Sequence, residues 1–198
     1  MPLFFEGCYW RFHYLEQARA KGRHGIELAK RGASKSYTLS SIMTHNLIVG
    51  INSVSKKRTT TVLTAYQKEY LKGDKDGTLS KFEPSLSFIT QNTPFPRLLL
   101  KESPNEMSWQ MGYKDEFGRT QGSRNMVLGV SAKDDSGKLR GKRGVILFEE
   151  MGQFKNIDAL YDVTRKSVED GNYAFAFMFL VGTASDSESD FSAAKKLL

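Results

Sequence analysis

Residues 25–50 limit the possible folds more than any other part of this 198-residue chain. Residues 25–29 have the composition of a short strand, and the loop that follows them is small and basic. Beyond the loop, apolar residues recur at helical spacing, at Leu39, Ile42, Met43 and Leu47. A strand that leads through a tight loop into an amphipathic helix is the repeating unit of a parallel sheet covered by helices. We therefore expect an α/β fold.

The rest of the chain alternates between strand patterns and helix patterns. Runs of β-branched and apolar residues at 59–65, 145–148 and 173–181 predict buried strands. Helical spacing at 66–90, interrupted by GDKDG and by Pro84, and again at 156–170, predicts the intervening helices. Short β-like runs between 97 and 130, separated by turn residues, predict a small antiparallel insertion. The expected architecture is a central, mainly parallel sheet flanked by helices, together with that insertion.

The basic loop has the spacing of a phosphate-binding loop, G-x-x-x-x-G-K-[ST], with both glycines replaced. Aligned on its last two positions, the motif comprises Ala29, Lys30, Arg31, Gly32, Ala33, Ser34, Lys35 and Ser36. Ala29 and Ser34 stand where glycines normally let backbone amides curl around phosphates. Lys35 would neutralise the β and γ phosphates, Ser36 would reach Mg²⁺, and the helix N-terminus would face the anion. The alternative is a helix start that carries two basic residues by chance.

Two adjacent acids, Glu149 and Glu150, follow the apolar run at 145–148. Nucleotide hydrolysis needs one carboxylate near Mg²⁺ and a second to orient or deprotonate the attacking water. Because the carboxyl ends of parallel strands form the ligand crevice of α/β sheets, we expect Glu149 on the metal side and Glu150 in catalysis. The usual pair begins with aspartate, so Glu149 adds a methylene group. The alternative for an isolated acid pair is a solvated turn.

A third segment, LVGTAS, ends the last apolar run with small hydroxyl residues. In this position Thr183 would lie near the γ-phosphate and respond to its hydrolysis. Taken alone, the segment is more typical of a strand that turns. The case for a functional role depends on its distance along the chain from the loop and the acid pair.

The charge balance favours a polyanionic partner. Lysine and arginine number 29 against 22 aspartates and glutamates, which gives a net charge of +7. Each phosphate that is neutralised on binding releases counterions, although a solvated basic face is the alternative. The single cysteine, Cys8, cannot form an internal disulfide, which is typical of a reducing compartment. No apolar run reaches about 18 residues, so we expect no membrane span.

In their order and spacing, these segments resemble the ATPase domain of the large terminase subunits of tailed bacteriophages. The likeness extends from about Gly25 to Ser185. It includes an arginine three residues before the second loop position, here Arg31 before Ser34, and the Gly-Thr core that ends at Thr183. A further series leads into the acid pair, and it comprises Ser123-Arg124, Ser131-Ala132 and Arg140-Gly141.

This resemblance implies a P-loop NTPase fold of the ASCE type and an ATP-driven motor that moves double-stranded DNA into viral proheads. It implies that Arg31 stabilises charge on the γ-phosphoryl group and that Thr183 couples hydrolysis to movement. It also places adenine upstream of the first strand, where Tyr14 and Gln17 are the candidates. Three cationic side chains before the acid pair would contact DNA or a neighbouring subunit, unless they only form a solvated loop: Arg140, Lys142 and Arg143.

The same likeness implies Mg²⁺ and ATP as cofactors, and double-stranded DNA, the portal protein and the small terminase subunit as partners. Motors of this kind act as homo-oligomeric rings in the cytoplasm of an infected or prophage-bearing bacterium, and a separated domain is expected to be monomeric. The family also has a C-terminal nuclease domain. No acid cluster here suits a nuclease, and the crowded run at 185–190 has the character of a solvated turn. We expect residues 1–198 to form the ATPase domain, without the nuclease.

Two other functions stay open at this point. The replaced glycines favour a degenerate, non-hydrolysing module that grips DNA or a protein partner, whereas the presence of both Lys35 and Glu150 favours catalysis. A helicase-like nucleotide motor ranks lower, because no second arginine-rich motor domain follows Thr183.

Overall fold

A seven-stranded sheet lies at the centre of the computed structural model, which describes residues 6–51, 58–73, 77–133, 135–171, 173–174, 176–183, 192 and 195–197. The strands are β1 (Gly25–Ala29), β2 (Thr60–Ala65), β3 (Leu99–Ser103), β4 (Ser108–Met111), β5 (Tyr113–Lys114), β6 (Thr120–Gln121), β7 (Met126–Ser131), β8 (Val145–Glu149), β9 (Glu169–Asp170), β10 (Tyr173–Ala174) and β11 (Met178–Thr183). The helices are α1 (Glu6–Ala20), α2 (Lys35–Ile48), α3 (Lys68–Leu71), α4 (Thr78–Asn92) and α5 (Ile157–Val168), with short 3₁₀ turns at Ser136–Lys138 and Met151–Gln153.

The main sheet has the strand order β1-β11-β8-β2-β7-β4-β3. The strands from β1 to β7 in this order are mutually parallel, and β4 and β3 complete the sheet in antiparallel pairing. The mainly parallel α/β architecture expected from the alternating patterns is therefore confirmed. The antiparallel insertion is also present, in two parts: β3 and β4 extend the main sheet, while β5 and β6 form a separate two-stranded sheet.

Strand β8 is buried on both faces, which explains its unbroken apolar sequence. Val145 and Leu147 pack into the core that α2 and α4 cover, whereas Ile146 and Phe148 pack into the core that α5 covers. The alternation follows from the two-residue period of a strand. The apolar faces expected on the helices are buried at Leu39, Ile42, Met43, Leu47, Leu79, Phe82 and Leu86, and Ile89 is half-buried.

Two element boundaries differ from the sequence prediction. The helix expected at 156–170 ends at Val168, and the strand expected at 173–181 begins at Met178. The residues between them, β9 and β10, pair as an antiparallel hairpin. Gly171 has a φ of +59° in the turn, a conformation that glycine adopts without strain. The apolar run that begins at residue 173 thus covers β10 and the start of β11, which lie in different sheets, and the sequence does not show the break between them.

Two further expectations concern helix α4 and the end of the last strand. Pro84 lies inside α4, which continues to Asn92 without interruption. Ala184 and Ser185 of the LVGTAS segment, and the acidic run at 185–190, lie outside the described residues. Within the segments that the structure describes, none of the helices combines the length and the apolar character needed to cross a membrane.

Candidate nucleotide-binding site

Three strand ends meet at one edge of the sheet. Strands β1, β11 and β8 are parallel neighbours, so their carboxyl ends lie side by side. The register pairs Ala29 with Thr183 and Phe148 with Leu180. Ligands of open α/β sheets bind outside this edge. The basic loop, the acid pair and the Gly-Thr segment therefore line one crevice, although they lie far apart along the chain.

The loop between β1 and α2 has the turn that a phosphate-binding loop needs. Gly32 and Ser34 both have positive φ, at 81° and 59°. Ser34 is the N-cap of α2 in the left-handed region, and its side chain makes no capping hydrogen bond. Glycine is usual at this position because a Cβ atom strains the backbone there. Ala29, at the other replaced position, belongs to strand β1 and needs no such conformation.

Lys35 lies against its own loop and is only 7% exposed. Its Nζ donates to the carbonyl oxygens of Ala29, at 3.3 Å, and Lys30, at 3.5 Å. The ammonium group is thus held where the loop turns back towards β1. The N-terminus of α2 starts at the same place, with no side chain capping its first amides. A buried cation beside uncapped helix amides is a suitable environment for a phosphate group.

Ser36 and Glu149 connect the loop to the acid pair. Ser36 Oγ donates to Glu149 Oε1 over 2.7 Å. Glu149 is only 4% exposed. Burial raises the pKa of Glu149 to about 7, and the charge of Glu150 acts in the same direction. The hydroxyl group of Ser36, which hydrogen-bonds this carboxylate, opposes the increase in pKa. The ionised form of Glu149 would therefore be stabilised by a cation.

The donor atoms at Ser36 and Glu149 fit Mg²⁺. Glu149 Oε2 is buried and has no hydrogen-bond partner among the described residues. A hydroxyl oxygen is a hard ligand of the kind that Mg²⁺ prefers, and a carboxylate oxygen can accept from a water of the ion's hydration shell. No three His, Cys, Asp or Glu side chains in the described segments come together as a metal site. The protein would therefore supply part of the magnesium shell, and phosphate oxygens and waters would supply the rest.

Glu150 directly follows β8 and has a left-handed backbone, with φ 48° and ψ 61°. Thr183 holds its carboxylate. The hydroxyl oxygen of Thr183 lies 2.7 Å from Glu150 Oε1 and 2.8 Å from Oε2, and the Thr183 backbone N–H donates to Oε2 over 3.1 Å. The two acids thus have different partners: Glu149 contacts the loop serine and Glu150 contacts the last strand.

These contacts form a closed circuit. Lys35 contacts the carbonyl of Ala29, Ala29 is paired with Thr183, and Thr183 contacts Glu150. Glu149 precedes Glu150 and accepts from Ser36, which follows Lys35. A circuit of direct contacts requires all of these groups to lie around one small volume. The structure therefore brings together the loop lysine and serine, both acids and the threonine.

Comparison with known proteins places this arrangement in a known fold. No protein family model and no curated protein matches the sequence. Among solved structures, the large terminase ATPase domain of Thermus phage P74-26 superposes with a TM-score of 0.62 at 11% identity, covering 86% of this chain and 63% of that one. The large terminase of bacteriophage HK97 superposes with a TM-score of 0.60 at 14% identity, covering 98% of this chain and 36% of that one. The chain has the fold of a phage large terminase ATPase domain.

The superpositions cover only part of each solved structure. The chain spans less than two thirds of the length of either solved structure, at 63% and 36%. At identities of 11% and 14%, the superpositions show the fold alone and leave the chemistry to the residues of this chain. The terminase fold confirms the fold class expected from the sequence resemblance.

Several cationic side chains predicted from the resemblance lie outside this circuit of contacts. Lys30 and Arg31 are exposed on the loop. Arg140 and Arg143 are exposed and Lys142 is half-buried. Arg143 adjoins Gly144, whose Cα packs against the carbonyl of Thr60 at the amino end of β2. Arg143 is therefore at the edge of the sheet opposite the crevice, where a contact with DNA or another subunit would be separate from the nucleotide.

The two candidates for the adenine contact lie on α1. Tyr14 is 63% exposed and lines a cavity of about 540 Å³ between α1 and strand β1. Trp10 and Glu27 line the same cavity. Gln17 is exposed, and its amide contacts the imidazole of His13 over 3.0 Å rather than lining the cavity. Tyr14 thus borders a cavity next to the loop strand, and Gln17 does not.

The sequence analysis missed a second group of residues that supports the loop. Arg11 Nε contacts both carboxylate oxygens of Glu27, at 2.7 and 2.6 Å, and its Nη1 donates to Thr38 Oγ1 over 3.0 Å. Thr38 Oγ1 in turn donates to the carbonyl of Ser34 over 3.1 Å. Helix α1 is therefore connected to the strained residue of the loop. No spacing rule identifies this connection, because Arg11 belongs to a helix whose position the sequence did not define.

Proposed function

We propose that this chain is the ATPase motor domain of a viral DNA-packaging terminase, which hydrolyses ATP to move double-stranded DNA into a prohead. The observation that carries the proposal is the closed circuit of contacts from Lys35 through Thr183 and the acid pair to Ser36. A degenerate loop has no need to hold two acids in different directions. The terminase fold supports the motor function, and the net charge of +7 supports a polyanionic partner.

In the proposed binding step, the loop and the start of α2 receive the β and γ phosphates. Lys35 would exchange its two carbonyl contacts for phosphate oxygens, which are the stronger acceptors. The exposed Arg31 would reach the γ-phosphoryl group from the loop. Ser36 and Glu149 would hold Mg²⁺, which when bound offsets negative charge on the phosphates and polarises the γ-phosphoryl group.

In the proposed hydrolytic step, Glu150 orients the attacking water and accepts its proton. Thr183 fixes the carboxylate through a hydroxyl group and a backbone N–H. Because both donors come from the end of β11, a displacement of this strand end would move the catalytic carboxylate. Hydrolysis and movement of the strand are then two parts of one event, which is the coupling that a motor requires.

The proposed partners follow from the same function. They are double-stranded DNA, the portal protein, the small terminase subunit and further copies of the chain in a ring, in the cytoplasm of the bacterial host. Residues 1–198 would form the ATPase domain of such a motor.

The test is DNA-stimulated ATP hydrolysis by wild type and by paired variants. Glu150→Gln should lower kcat by about 10² to 10⁴-fold while nucleotide still binds, because it removes the base and preserves the shape of the side chain. Lys35→Ala should abolish nucleotide binding. Glu116→Gln and Lys166→Ala are matched controls at exposed positions and should behave as wild type. Normal turnover in both site variants would refute the proposal.

The strained conformation of Ser34 is the observation that favours the alternative, a non-hydrolysing module. The same assay separates the two functions. A module would bind nucleotide and DNA without turnover, and the Glu150→Gln variant would then be indistinguishable from wild type in every measurement.

A further inference from the structure

Helices α2 and α4 run in the same direction across one face of the sheet. Ser40 Oγ and Ser85 Oγ lie 3.2 Å apart, and one turn earlier in each helix the Lys81 ammonium lies 5.6 Å from the centroid of the Tyr37 ring. Residue numbers thus increase together along the two helices. The N-terminus of α4 must therefore lie beside the N-terminus of α2, at the edge of the sheet that carries the phosphate-binding loop.

The first residue of α4 presents a buried hydroxyl group to this edge. Thr78 is 0% exposed, and its Oγ1 has no hydrogen-bond partner among the described residues. Glu149 Oε2 is also buried and also has no hydrogen-bond partner among the described residues. The hydroxyl group of Thr78 lies close enough to the Glu149 carboxylate to oppose the increase in its pKa, so the two side chains are neighbours, although the geometry between them is not that of a full hydrogen bond. An unpartnered buried polar atom destabilises a folded protein, so two that lie next to each other need an explanation.

We propose that Thr78 is a positioning residue of the magnesium site, and that Thr78 Oγ1 and Glu149 Oε2 together hold one water of the ion's hydration shell. The inference rests on the proposed function of the same site. Ser36 occupies Glu149 Oε1, so Oε2 remains available as an acceptor. A water that coordinates a cation offers its two hydrogens and no free acceptor, and it would donate one to Glu149 Oε2 and the other to Thr78 Oγ1.

This arrangement would compensate for the extra methylene group of Glu149. Mg²⁺ retains several waters when it binds to proteins, and groups that orient those waters contribute to affinity. A glutamate on the metal side has one more rotatable bond than an aspartate. The contact from Thr78 on α4, made through the shared water, would limit the movement of Glu149 Oε2 that the extra rotatable bond allows.

The experiment measures the MgCl₂ concentration that half-saturates binding of a fluorescent ADP (mant-ADP). Thr78→Val preserves the shape and removes the hydroxyl group, and we expect it to raise that concentration by about 10-fold or more. Binding of mant-ADP in EDTA should be unchanged. Thr78→Ser, which restores a hydroxyl group, should stay within about threefold of wild type by the same argument. A Thr78→Val protein with the wild-type Mg²⁺ requirement would overturn the inference.

Thermal unfolding in EDTA gives a second readout that a purely structural residue would not reproduce. Thr78→Val should unfold at the same temperature as wild type or higher, because it removes an unpartnered buried hydroxyl group. The matched control is Thr44→Val, at a buried threonine of α2 whose Oγ1 donates to the Ser40 carbonyl over 3.0 Å. It should unfold at a lower temperature and keep the wild-type Mg²⁺ requirement. If Thr78→Val did not fold, Thr78→Ala would decide by the same two measurements.

Failure of this inference can be distinguished from failure of the proposed function. If wild type bound mant-ADP equally well with and without MgCl₂, the magnesium-dependent site itself would be refuted. If wild type required MgCl₂ and the valine variant required the same amount, only the role of Thr78 would be refuted.

Discussion

Replacing Ser34 with glycine should stabilise this protein. Ser34 has φ 59° and ψ 28°, in the left-handed region, and holding a non-glycine residue there costs about 1–2 kcal/mol. Glycine loses about 0.5–1 kcal/mol more conformational entropy on folding, so the expected net gain is about 0.5–1 kcal/mol. The Ser34 side chain makes no capping hydrogen bond that the substitution would remove. For a chain of 198 residues, this gain corresponds to an increase in melting temperature of about 1–4 °C.

The assay is urea denaturation of three variants that change one residue each in the same loop. Ala33→Gly introduces the same flexibility where φ is not positive, and it should destabilise by about 0.5–1 kcal/mol. Gly32→Ala adds a Cβ that meets no atom within 4 Å, but at φ 81°, so it should destabilise by backbone strain alone, by about 1 kcal/mol.

The reasoning would be refuted if Ser34→Gly and Ala33→Gly shifted stability in the same direction. The relaxed loop should also bind mant-ADP at least as tightly as wild type, because a Cβ no longer stands where phosphate would approach.

Three further predictions concern the contacts around the loop and the acid pair. In EDTA, the free energy of unfolding should fall as pH rises from 4.5 to about 7, because native Glu149 keeps its proton over that range while the unfolded chain releases it. In the Glu149→Gln variant, the free energy of unfolding measured by denaturation should change less with pH over this range. Thr183→Val should lower kcat about tenfold or more with little change in KM, whereas Thr183→Ser should retain activity, since the hydroxyl group that holds Glu150 is what matters. Arg11→Ala should destabilise the protein by about 2 kcal/mol in urea denaturation and weaken mant-ADP binding. Arg11→Lys should not restore stability, because an ammonium group cannot contact Glu27 and Thr38 in the fork geometry of a guanidinium group.

Periodicity predicted most of the fold because it reports burial. The run Val145–Phe148 is apolar at every position since both faces of β8 are covered, and α2 has one apolar stripe since it covers one face. The error at 173–181 has the same origin. The apolar run continues through β10 and into β11, which belong to different sheets, so the apolar pattern alone does not show where one strand ends and the next begins.

The candidate site was predicted as three separate motifs, and the sequence could not supply their arrangement. Which strands are neighbours depends on the strand order of the sheet, in which β11 lies between β1 and β8. Which partner each acid contacts depends on the fold as well, since Glu149 accepts from Ser36 and Glu150 contacts Thr183. The approach of Thr78 depends on the parallel packing of two helices that are 30 residues apart at their ends, Ile48 and Thr78. The roles assigned to these residues stay predictions until they are measured.

The strand order also changes the meaning of the two missing glycines. Ala29 occupies the first glycine position, but it belongs to β1 and pairs with Thr183, so a side chain there carries no backbone penalty. Only the second position, Ser34, requires a left-handed backbone, and the contact from Thr38 to its carbonyl, supported by Arg11, holds it there. A strain of about 1–2 kcal/mol is within what one such buried network can offset. The loop can therefore keep the turn of a phosphate-binding loop with one strained residue rather than two lost glycines, and α1 supports the candidate site although it contains none of the motif.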